Sequence, residues 1–261
     1  MSANIVSTLR AAGCVFAEDE ARLLSDAASD PDELADMVAR RAAGMPLEHV
    51  LGWVSFCGLR VAVDPGVFVP RRRTELLAWR AIRLARPGAV VVDLCCGCGA
   101  VAAAVAATVP DTRLHAVDVD PAAVRCARRN IPGGQVYEGD LYTPLPADLR
   151  GGVDVLVANA PYVPTDAIAL MPPEARLHEP RVALDGGTDG LDVVRRVITD
   201  AREWLAPGGH LLIETSEAQA PPLLDAAGKA GLRPRQVHDD ELGATILIAG
   251  APRERGRRAT S

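Results

Sequence analysis

The feature that most constrains this chain is the alternation of apolar strand-like runs with helical patterns over residues 74–249. A helix is predicted from about Thr74 to Leu84, and the predicted strands follow at 89–94, 113–118, 135–138, 153–158, 208–214 and 244–249. Such alternation is typical of a parallel sheet with helices on both faces. The segments 233–238 and 244–249 suit an antiparallel pair at one edge. The sequence therefore predicts an α/β fold with a mostly parallel sheet.

The residues before this region have a different character. Apolar positions have helical spacing over residues 5–44, and Asp30 precedes Pro31 as an N-cap, which predicts two or three short helices. Residues 53–69 alternate in polarity and contain the turn sequence Asp64-Pro65-Gly66, which predicts a β-hairpin. We divide the chain into a helical unit (1–52), a hairpin linker (53–73), an α/β domain (74–250) and a basic, flexible tail (251–261).

Composition narrows the class of protein. Hydrophobic residues make up 49% and charged residues 24%, the balance of a globular protein with a sizeable core. The net charge of −6 argues against nucleic acid as a partner, since basic residues cluster only at 71–73 and in the tail, at Arg253, Arg255, Arg257 and Arg258. The chain has neither a signal-peptide pattern at its start nor about 20 consecutive apolar residues. We expect a soluble, cytoplasmic protein.

A glycine-containing loop follows the first predicted strand of the α/β domain. The strand Val90–Leu94 leads into Cys95-Cys96-Gly97-Cys98-Gly99, where glycine lets a ligand approach the backbone. The spacing of Gly97, Gly99 and Ala102 also suits a dinucleotide-binding dehydrogenase. Asp93 favours S-adenosylmethionine, because a carboxylate at this strand end can organise the loop and face a cationic amino-acid group.

Two later strands also end in carboxylates. Asp118 is about 20 residues beyond the loop and is predicted to accept hydrogen bonds from both ribose hydroxyls of the cofactor. Its alternative role is a helix N-cap, for which Asp120 before Pro121 is better placed. Asp140, followed by Leu141, is a candidate for the adenine amino group, although a turn carboxylate is the alternative.

The cysteines of the loop invite a metal hypothesis. Cys95, Cys96 and Cys98 are clustered, but no second ligand pair follows at zinc spacing, and adjacent cysteines do not readily converge on one ion. We predict no metal, and reduced thiols throughout.

The strand 153–158 runs into Asn159-Ala160-Pro161-Tyr162. Ligands of open α/β sheets lie beyond the carboxyl ends of the strands, so this tetrapeptide is expected beside the cofactor loop. The side-chain oxygen of Asn159 and the following carbonyl are two acceptors for the hydrogens of an NH₂ group, and Tyr162 can stack on a planar substrate. The alternative is an ordinary turn. The pattern predicts methyl transfer to a planar, amide-like or amino nitrogen, with Asn159 and Tyr162 as catalytic residues.

These motifs together resemble the HemK/PrmC family of protein-glutamine N5-methyltransferases. The resemblance runs from Pro46–Gly52 and Phe56–Leu59 through Pro70-Arg71 and Thr74-Glu75, and it continues in Glu179–Gly187 and Asp189–Asp192. It implies a class I, Rossmann-like fold with a seven-stranded sheet, and a monomer that methylates the glutamine of a Gly-Gly-Gln motif in a peptide chain release factor. It also implies that residues 1–52 recognise the substrate.

The resemblance assigns the site residues as well. It implies a cofactor site formed by Asp93, Cys95, Cys96, Gly97, Cys98, Gly99, Asp118, Asp140, Leu141 and Asn159, and a substrate site formed by Asn159, Ala160, Pro161 and Tyr162. The sequence departs from the family pattern in three places. The family's Asn-Pro-Pro-Tyr is Asn-Ala-Pro-Tyr here, its first loop glycine is a cysteine, and Arg-Pro-Glu-Thr-Glu has become Arg71-Arg72-Arg73-Thr74-Glu75.

Three other functions remain open at the level of sequence. The same Asn-x-Pro-Tyr geometry can present a nucleic-acid adenine or a small-molecule amine. A protein that binds the cofactor without turnover is a second alternative, against which Asn159 and Tyr162 argue. An NAD-dependent oxidoreductase is the third, and it leaves Asn-Ala-Pro-Tyr without a role.

Overall fold

A computed structural model describes residues 2–253 of the chain. The helices are α1 (Ser2–Ala11), α2 (Ala17–Ala27), α3 (Pro31–Ala42), α4 (Leu47–Leu51), α5 (Glu75–Leu84), α6 (Ala100–Thr108), α7 (Pro121–Asn130), α8 (Pro173–His178), α9 (Asp192–Trp204) and α10 (Ala220–Lys229). The strands are β1 (Trp53–Phe56), β2 (Leu59–Ala62), β3 (Val90–Leu94), β4 (Arg113–Asp118), β5 (Gln135–Glu138), β6 (Val153–Ala158), β7 (Leu205–Thr215), β8 (Arg233–Asp239) and β9 (Ala244–Gly250).

The centre of the molecule is a seven-stranded sheet in the order β5-β4-β3-β6-β7-β9-β8. The first five strands in that order are parallel, whereas β9 runs antiparallel to both β7 and β8. This confirms the predicted α/β fold with a mostly parallel sheet and an antiparallel pair at one edge. Parallel pairing brings the carboxyl ends of β3, β4 and β6 to one side of the sheet, where ligands bind in such folds.

The sheet is buried on both faces. Successive strand residues point to opposite faces, so Val91 packs with α5, α6 and α7, while Val90 and Val92 pack with α9 and α10. All five residues of β3 are buried, which explains why the strand is apolar except for Asp93 near its end.

The N-terminal helices form a smaller core of their own. Leu9, Ala17 and Leu24 are fully buried in it. Asp30 caps α3 as predicted, because its side chain accepts a hydrogen bond from the amide of Glu33 at 2.8 Å. The buried guanidinium of Arg41 joins this unit to the α/β domain, since it pairs with Glu20 of α2 and with Glu174 of α8, each at 2.6 Å.

The β-hairpin turns at a place that the sequence did not indicate. Its strands β1 and β2 are joined at Cys57-Gly58, both with positive φ, and not at Asp64-Pro65-Gly66. The residues at 64–66 do form a turn, closed by the amide of Val67 on the carbonyl of Asp64 at 3.1 Å. Val67–Val69 is not a strand, since it pairs with no strand among the described residues, and Val67 and Val69 are buried in the main core. The hairpin and a turn at 64–66 are thus present, but the prediction that this turn closes the hairpin was wrong.

Between residues 2 and 253 the structure contains no helix with both the length and the apolar character needed to span a membrane. Arg255, Arg257 and Arg258 of the predicted basic tail lie outside the described residues.

Candidate active site

A cavity of about 240 Å³ opens at the carboxyl ends of the parallel strands. Its lining includes most of the predicted cofactor and substrate residues, namely Asp93, Cys95, Cys96, Gly97, Cys98, Asp118, Asp140, Leu141, Asn159 and Pro161. Four predicted site motifs that are far apart in the sequence are therefore brought to one place. Gly99, Ala160 and Tyr162 do not line the cavity and lie behind or beside it.

Asp93 is hydrogen-bonded to the first turn of the helix that follows the glycine loop. Its side chain is buried at the end of β3, and its Oδ2 accepts a hydrogen bond from the amide of Ala102 in the first turn of α6 at 3.2 Å. Burial, reinforced by the nearby charge of Asp118, raises the pKa of Asp93 to about 7. A cationic group in the cavity would favour the ionised form.

The loop adopts a conformation that few residue types accept. Cys95, Gly97 and Gly99 have φ angles of 56°, 55° and 80°, and glycine reaches this region without steric cost. A Cβ atom on Gly99 would also lie 2.7 Å from Cδ1 of Ile131. Gly99 is therefore a packing residue that lets the loop meet α7, whereas Gly97 faces the cavity.

Asp118 fixes the same loop from the neighbouring strand. Its Oδ2 accepts a hydrogen bond from the amide of Gly97 at 2.8 Å, and its Oδ1 accepts one from the amide of Asp120 at 2.9 Å. Burial raises the pKa of Asp118, against the effect of these amides. Asp120 is the N-cap of α7, as predicted, and accepts from the amide of Ala122 at 2.8 Å. Asp118 faces the cavity, which Asp120 also lines.

Asp140 has a partner that the sequence did not suggest. Its carboxylate lies 2.5 Å from Nη2 of Arg196, which projects from α9, and both residues line the cavity. More than half of each side chain is exposed, so the pair marks the rim of the cavity. Leu141 beside it is buried with a φ of 49°.

Asn159 lies at the end of β6, on the wall of the cavity opposite the carboxylates of β4. Its Nδ2 donates a weak hydrogen bond to Oγ1 of Thr74 at 3.4 Å. This contact orients the amide so that Oδ1 is the atom left for another donor. Thr74 lines the cavity as well. The sequence had placed Thr74 in the Thr74-Glu75 motif without predicting that it is a site residue.

Glycines hold the Asn-Ala-Pro-Tyr segment in place from behind. Gly186 donates to the carbonyl of Val163 at 2.9 Å, and a Cβ atom on Gly186 would lie 2.7 Å from the carbonyl oxygen of Pro161. A Cβ atom on Gly190 would lie 2.3 Å from the carbonyl oxygen of Tyr162. Only glycine permits this approach, which is a physical reason for the glycines in 184–190.

The segment that begins at Pro70-Arg71 contacts the segment that begins at Glu179 beside the cavity. Nη2 of Arg71 lies 2.7 and 2.6 Å from the two carboxylate oxygens of Glu179. The Glu179 side chain is almost completely buried and also accepts from the amide of Val69 at 3.2 Å. The ion pair holds the segments of Pro70 and Pro180, both of which line the cavity.

Tyr162 does not line the cavity, and its hydroxyl is bound on another side. Its hydroxyl lies 2.6 Å from Nη2 of Arg73 and 3.3 Å from Oε1 of Glu214. Burial and the Glu214 carboxylate raise the pKa of Tyr162 to about 12. Arg73 and Glu214 were missed by sequence reasoning, because only the fold brings them to Tyr162.

All six cysteines are free thiols. Burial, with the charges of Asp118 and Asp93, raises the pKa of Cys95 and of Cys96. Among residues 2–253, no three His, Cys, Asp or Glu side chains are grouped as metal ligands would be.

Comparison with known proteins places this geometry in a family. Residues 58–184 match the family described as "Methyltransferase small domain". The chain is 39% identical over 228 residues to the release factor glutamine methyltransferase of Geobacter sulfurreducens, covering 85% of this chain and 79% of that protein. It is 44% identical over 190 residues to that of Streptomyces coelicolor, covering 70% and 67%.

Solved structures agree on the fold. A ribosomal protein methylase of Lactobacillus delbrueckii superposes with a TM-score of 0.52 at 18% identity, over 73% of this chain and 84% of that one. A 16S rRNA methyltransferase of T. thermophilus, in complex with AdoMet and guanosine, gives 0.55 at 22% identity, over 76% and 49%. The cavity, the fold and the sequence relatives lead to one conclusion: the chain belongs to the release factor glutamine methyltransferases, a family of enzymes that use S-adenosylmethionine.

Proposed function

We propose that this protein methylates the side-chain amide nitrogen of a glutamine in a protein, of the kind found in the Gly-Gly-Gln motif of a peptide chain release factor. The observation that carries this proposal is the position of Asn159, which lies on the cavity wall with its Nδ2 bound to Thr74 and its Oδ1 available. The names of the relatives support the same acceptor.

The cavity residues suit S-adenosylmethionine. Asp93 and the Cys95–Gly99 loop would hold the amino-acid end, Asp118 the ribose hydroxyls, and Asp140 with Leu141 the adenine. Asp140 can accept a hydrogen bond from the adenine only if Arg196 shares the Asp140 carboxylate with it or moves away. When bound, the cofactor supplies a methyl group on a positively charged sulfur.

The protein then has to align the acceptor. An amide nitrogen is a poor nucleophile because its lone pair is delocalised into the carbonyl. Asn159 Oδ1 and the carbonyl of Ala160 would accept the two N–H bonds and hold the nitrogen in line with the methyl group. Such alignment contributes up to about 7 to 11 kcal/mol in favourable cases. Ala160 in place of proline keeps this acceptor, since the atom involved belongs to the backbone.

A protein acceptor also fits the surface of the molecule. Val15 and Phe16 of the N-terminal unit are 83% and 68% exposed, and Leu170 and Leu177, in the segment after Tyr162 that ends with α8, are 87% and 67% exposed. Apolar side chains exposed in this way suit contact with another protein. We assign substrate recognition to residues 1–52, with 53–73 as linker and 74–250 as the methyltransferase domain. We also propose that the protein acts as a monomer.

The test is methyl transfer to a release factor, followed by mass spectrometry of the Gly-Gly-Gln peptide. We expect one methyl group on the glutamine with the unaltered protein and loss of most turnover with Asn159→Ala. Binding of S-adenosylmethionine is measured separately by calorimetry, because Asn159 also lines the cofactor cavity. Near-normal transfer by a folded Asn159→Ala protein at saturating cofactor and acceptor would show that the amide clamp is wrong.

Three further arms separate the alternatives. Methylation of an adenine-containing oligonucleotide or of a small amine, with none of the release factor, would contradict the proposal. Binding of NAD in preference to S-adenosylmethionine would favour the oxidoreductase. Cofactor binding with no turnover on any acceptor would favour a binding protein.

A further inference from the structure

A charged cluster lies next to the Asn-Ala-Pro-Tyr segment and outside the cofactor cavity. It consists of Arg73, Tyr162 and Glu214. Nε of Arg73 donates to Oε1 of Glu214 at 3.2 Å, Nη2 of Arg73 donates to the Tyr162 hydroxyl at 2.6 Å, and that hydroxyl donates to the same Oε1 at 3.3 Å. The Arg73 guanidinium lies 5.9 Å from the centre of the Tyr162 ring. Each member is therefore held by the other two.

Glu214 is the fixed point of this cluster. Its side chain is 2% exposed and comes from β7, in the interior of the sheet. Its second oxygen, Oε2, is buried and has no hydrogen-bond partner among the described residues. A carboxylate in such a place requires a cation, and Arg73 is the cation in contact with it.

Arg73 still has donors to offer. A guanidinium carries five N–H bonds, and two of those of Arg73 bind Glu214 and Tyr162. The other three have no partner within residues 2–253, and 46% of the side chain is exposed. A guanidinium group that is already held by hydrogen bonds on one edge loses little conformational entropy when its other edge binds an oxygen atom.

The cluster is well placed for the methyl acceptor. Thr74, the next residue after Arg73, contacts Asn159. Tyr162 is the third residue after Asn159. Arg73 and Tyr162 do not line the cofactor cavity, whereas Thr74, Asn159 and Pro161 do. The cluster thus adjoins the proposed amide clamp on a side that the cofactor cavity does not use.

We propose that Arg73 is an acceptor-binding residue, which donates hydrogen bonds to a main-chain carbonyl oxygen of the segment that carries the target glutamine. This inference rests on the proposed function. A neutral carbonyl is favoured over a carboxylate because Glu214 already balances the charge of Arg73.

The test is steady-state kinetics with a release factor as acceptor. We expect Arg73→Met to raise the acceptor KM about tenfold or more, as loss of a hydrogen bond from a charged donor does, with kcat and cofactor affinity nearly unchanged. Arg73→Lys should recover part of the loss. Arg72→Met is the matched control, since Arg72 is the neighbouring exposed arginine and makes no side-chain hydrogen bond within residues 2–253, and its KM should stay at the original value.

The double variant Arg73→Met with Glu214→Gln protects the test against misfolding, because it removes the buried charge that Arg73→Met leaves behind. It should show the same raised acceptor KM. An unchanged KM in either folded variant, or an equal rise in Arg72→Met, overturns the proposal. So does a KM ratio that shrinks at high salt, which would indicate a carboxylate. Failure of the unaltered protein to methylate any glutamine would instead overturn the proposed function itself.

Discussion

Asp118 combines two tasks in one side chain. It holds the cofactor loop through the amide of Gly97, and it faces the cavity where ribose hydroxyls are expected. We predict that Asp118→Ala weakens S-adenosylmethionine binding by about 10- to 150-fold, since hydrogen bonds to a charged acceptor contribute roughly 1.5 to 3 kcal/mol. Calorimetry measures this directly.

Asp120→Asn is the matched control for this variant. Asp120 also lines the cavity, but its side chain accepts a hydrogen bond from the amide of Ala122. Asn caps helices as well as Asp does, so affinity and melting temperature should stay close to those of the unaltered protein. Equal affinity in Asp118→Ala and the unaltered protein would contradict the ribose assignment.

Asp93 predicts a dependence of stability on pH. Burial raises its folded pKa to about 7 from an ordinary value of 3.8. Between these values the folded protein keeps a proton that the unfolded chain has released, so the free energy of unfolding falls as the pH rises through this window. The fall from this group is at most about 1.4 kcal/mol per pH unit.

Denaturant unfolding of the ligand-free protein, from about pH 5 to about pH 8, measures this effect. Asp93→Asn has no proton to lose and should lack this part of the slope. If both proteins give the same slope, then Asp93 is ionised throughout and the origin of the effect lies elsewhere.

The cavity-lining residues at strand ends could be located from the sequence. Asp93, Asp118 and Asn159 could be predicted because a strand end in a parallel sheet has a known position relative to the ligand. Arg196 and Glu214 could not, since they meet Asp140 and Arg73 only through contacts 56 and 141 residues apart in the chain. The contacts of the Tyr162 hydroxyl could not be predicted for the same reason.

Among the elements, the junction of α2, α3 and α8 depends on one buried cation. Arg41 is 8% exposed, and its partner Glu20 is 10% exposed. We predict that Arg41→Met destabilises the protein by about 3 to 5 kcal/mol, because the Glu20 carboxylate is left buried without a partner. Urea unfolding provides the measurement.

Arg22→Met is the corresponding surface control. Arg22 pairs with Asp19 on the same helix α2, and both side chains are more than two-thirds exposed. Its loss should change stability by less than about 1 kcal/mol. A similarly small effect of Arg41→Met would show that Glu20 is not desolvated.

The elements themselves could be predicted to different degrees. The strands β4, β5 and β6 have the predicted bounds, since each is a short segment with buried or half-buried apolar residues between turn residues. The turn of the hairpin could not be located, because Cys57 takes a left-handed conformation that its residue type disfavours, while Asp64-Pro65-Gly66 has the better turn sequence.

For the molecule as a whole, the cysteines predict the absence of bound metal. A cysteine binds a metal ion as its thiolate, and burial with the charges of Asp118 and Asp93 raises the pKa of Cys95 and of Cys96. Protein purified without added ions should contain far less than one equivalent of zinc by elemental analysis. Tightly held zinc at one equivalent would contradict this prediction and our interpretation of the loop.

The position of β9 has a consequence for the order of assembly. This strand is made after β8, yet it lies between β8 and β7. While the chain is being synthesised, β7 has an unpaired edge. β8 has no strand to pair with until residues 244–250 appear. A polypeptide that stops short of them would expose two rows of unpaired amides and carbonyls, which are the template for association with other chains. Completion of this enzyme's own synthesis is thus a condition for its solubility as well as for its activity.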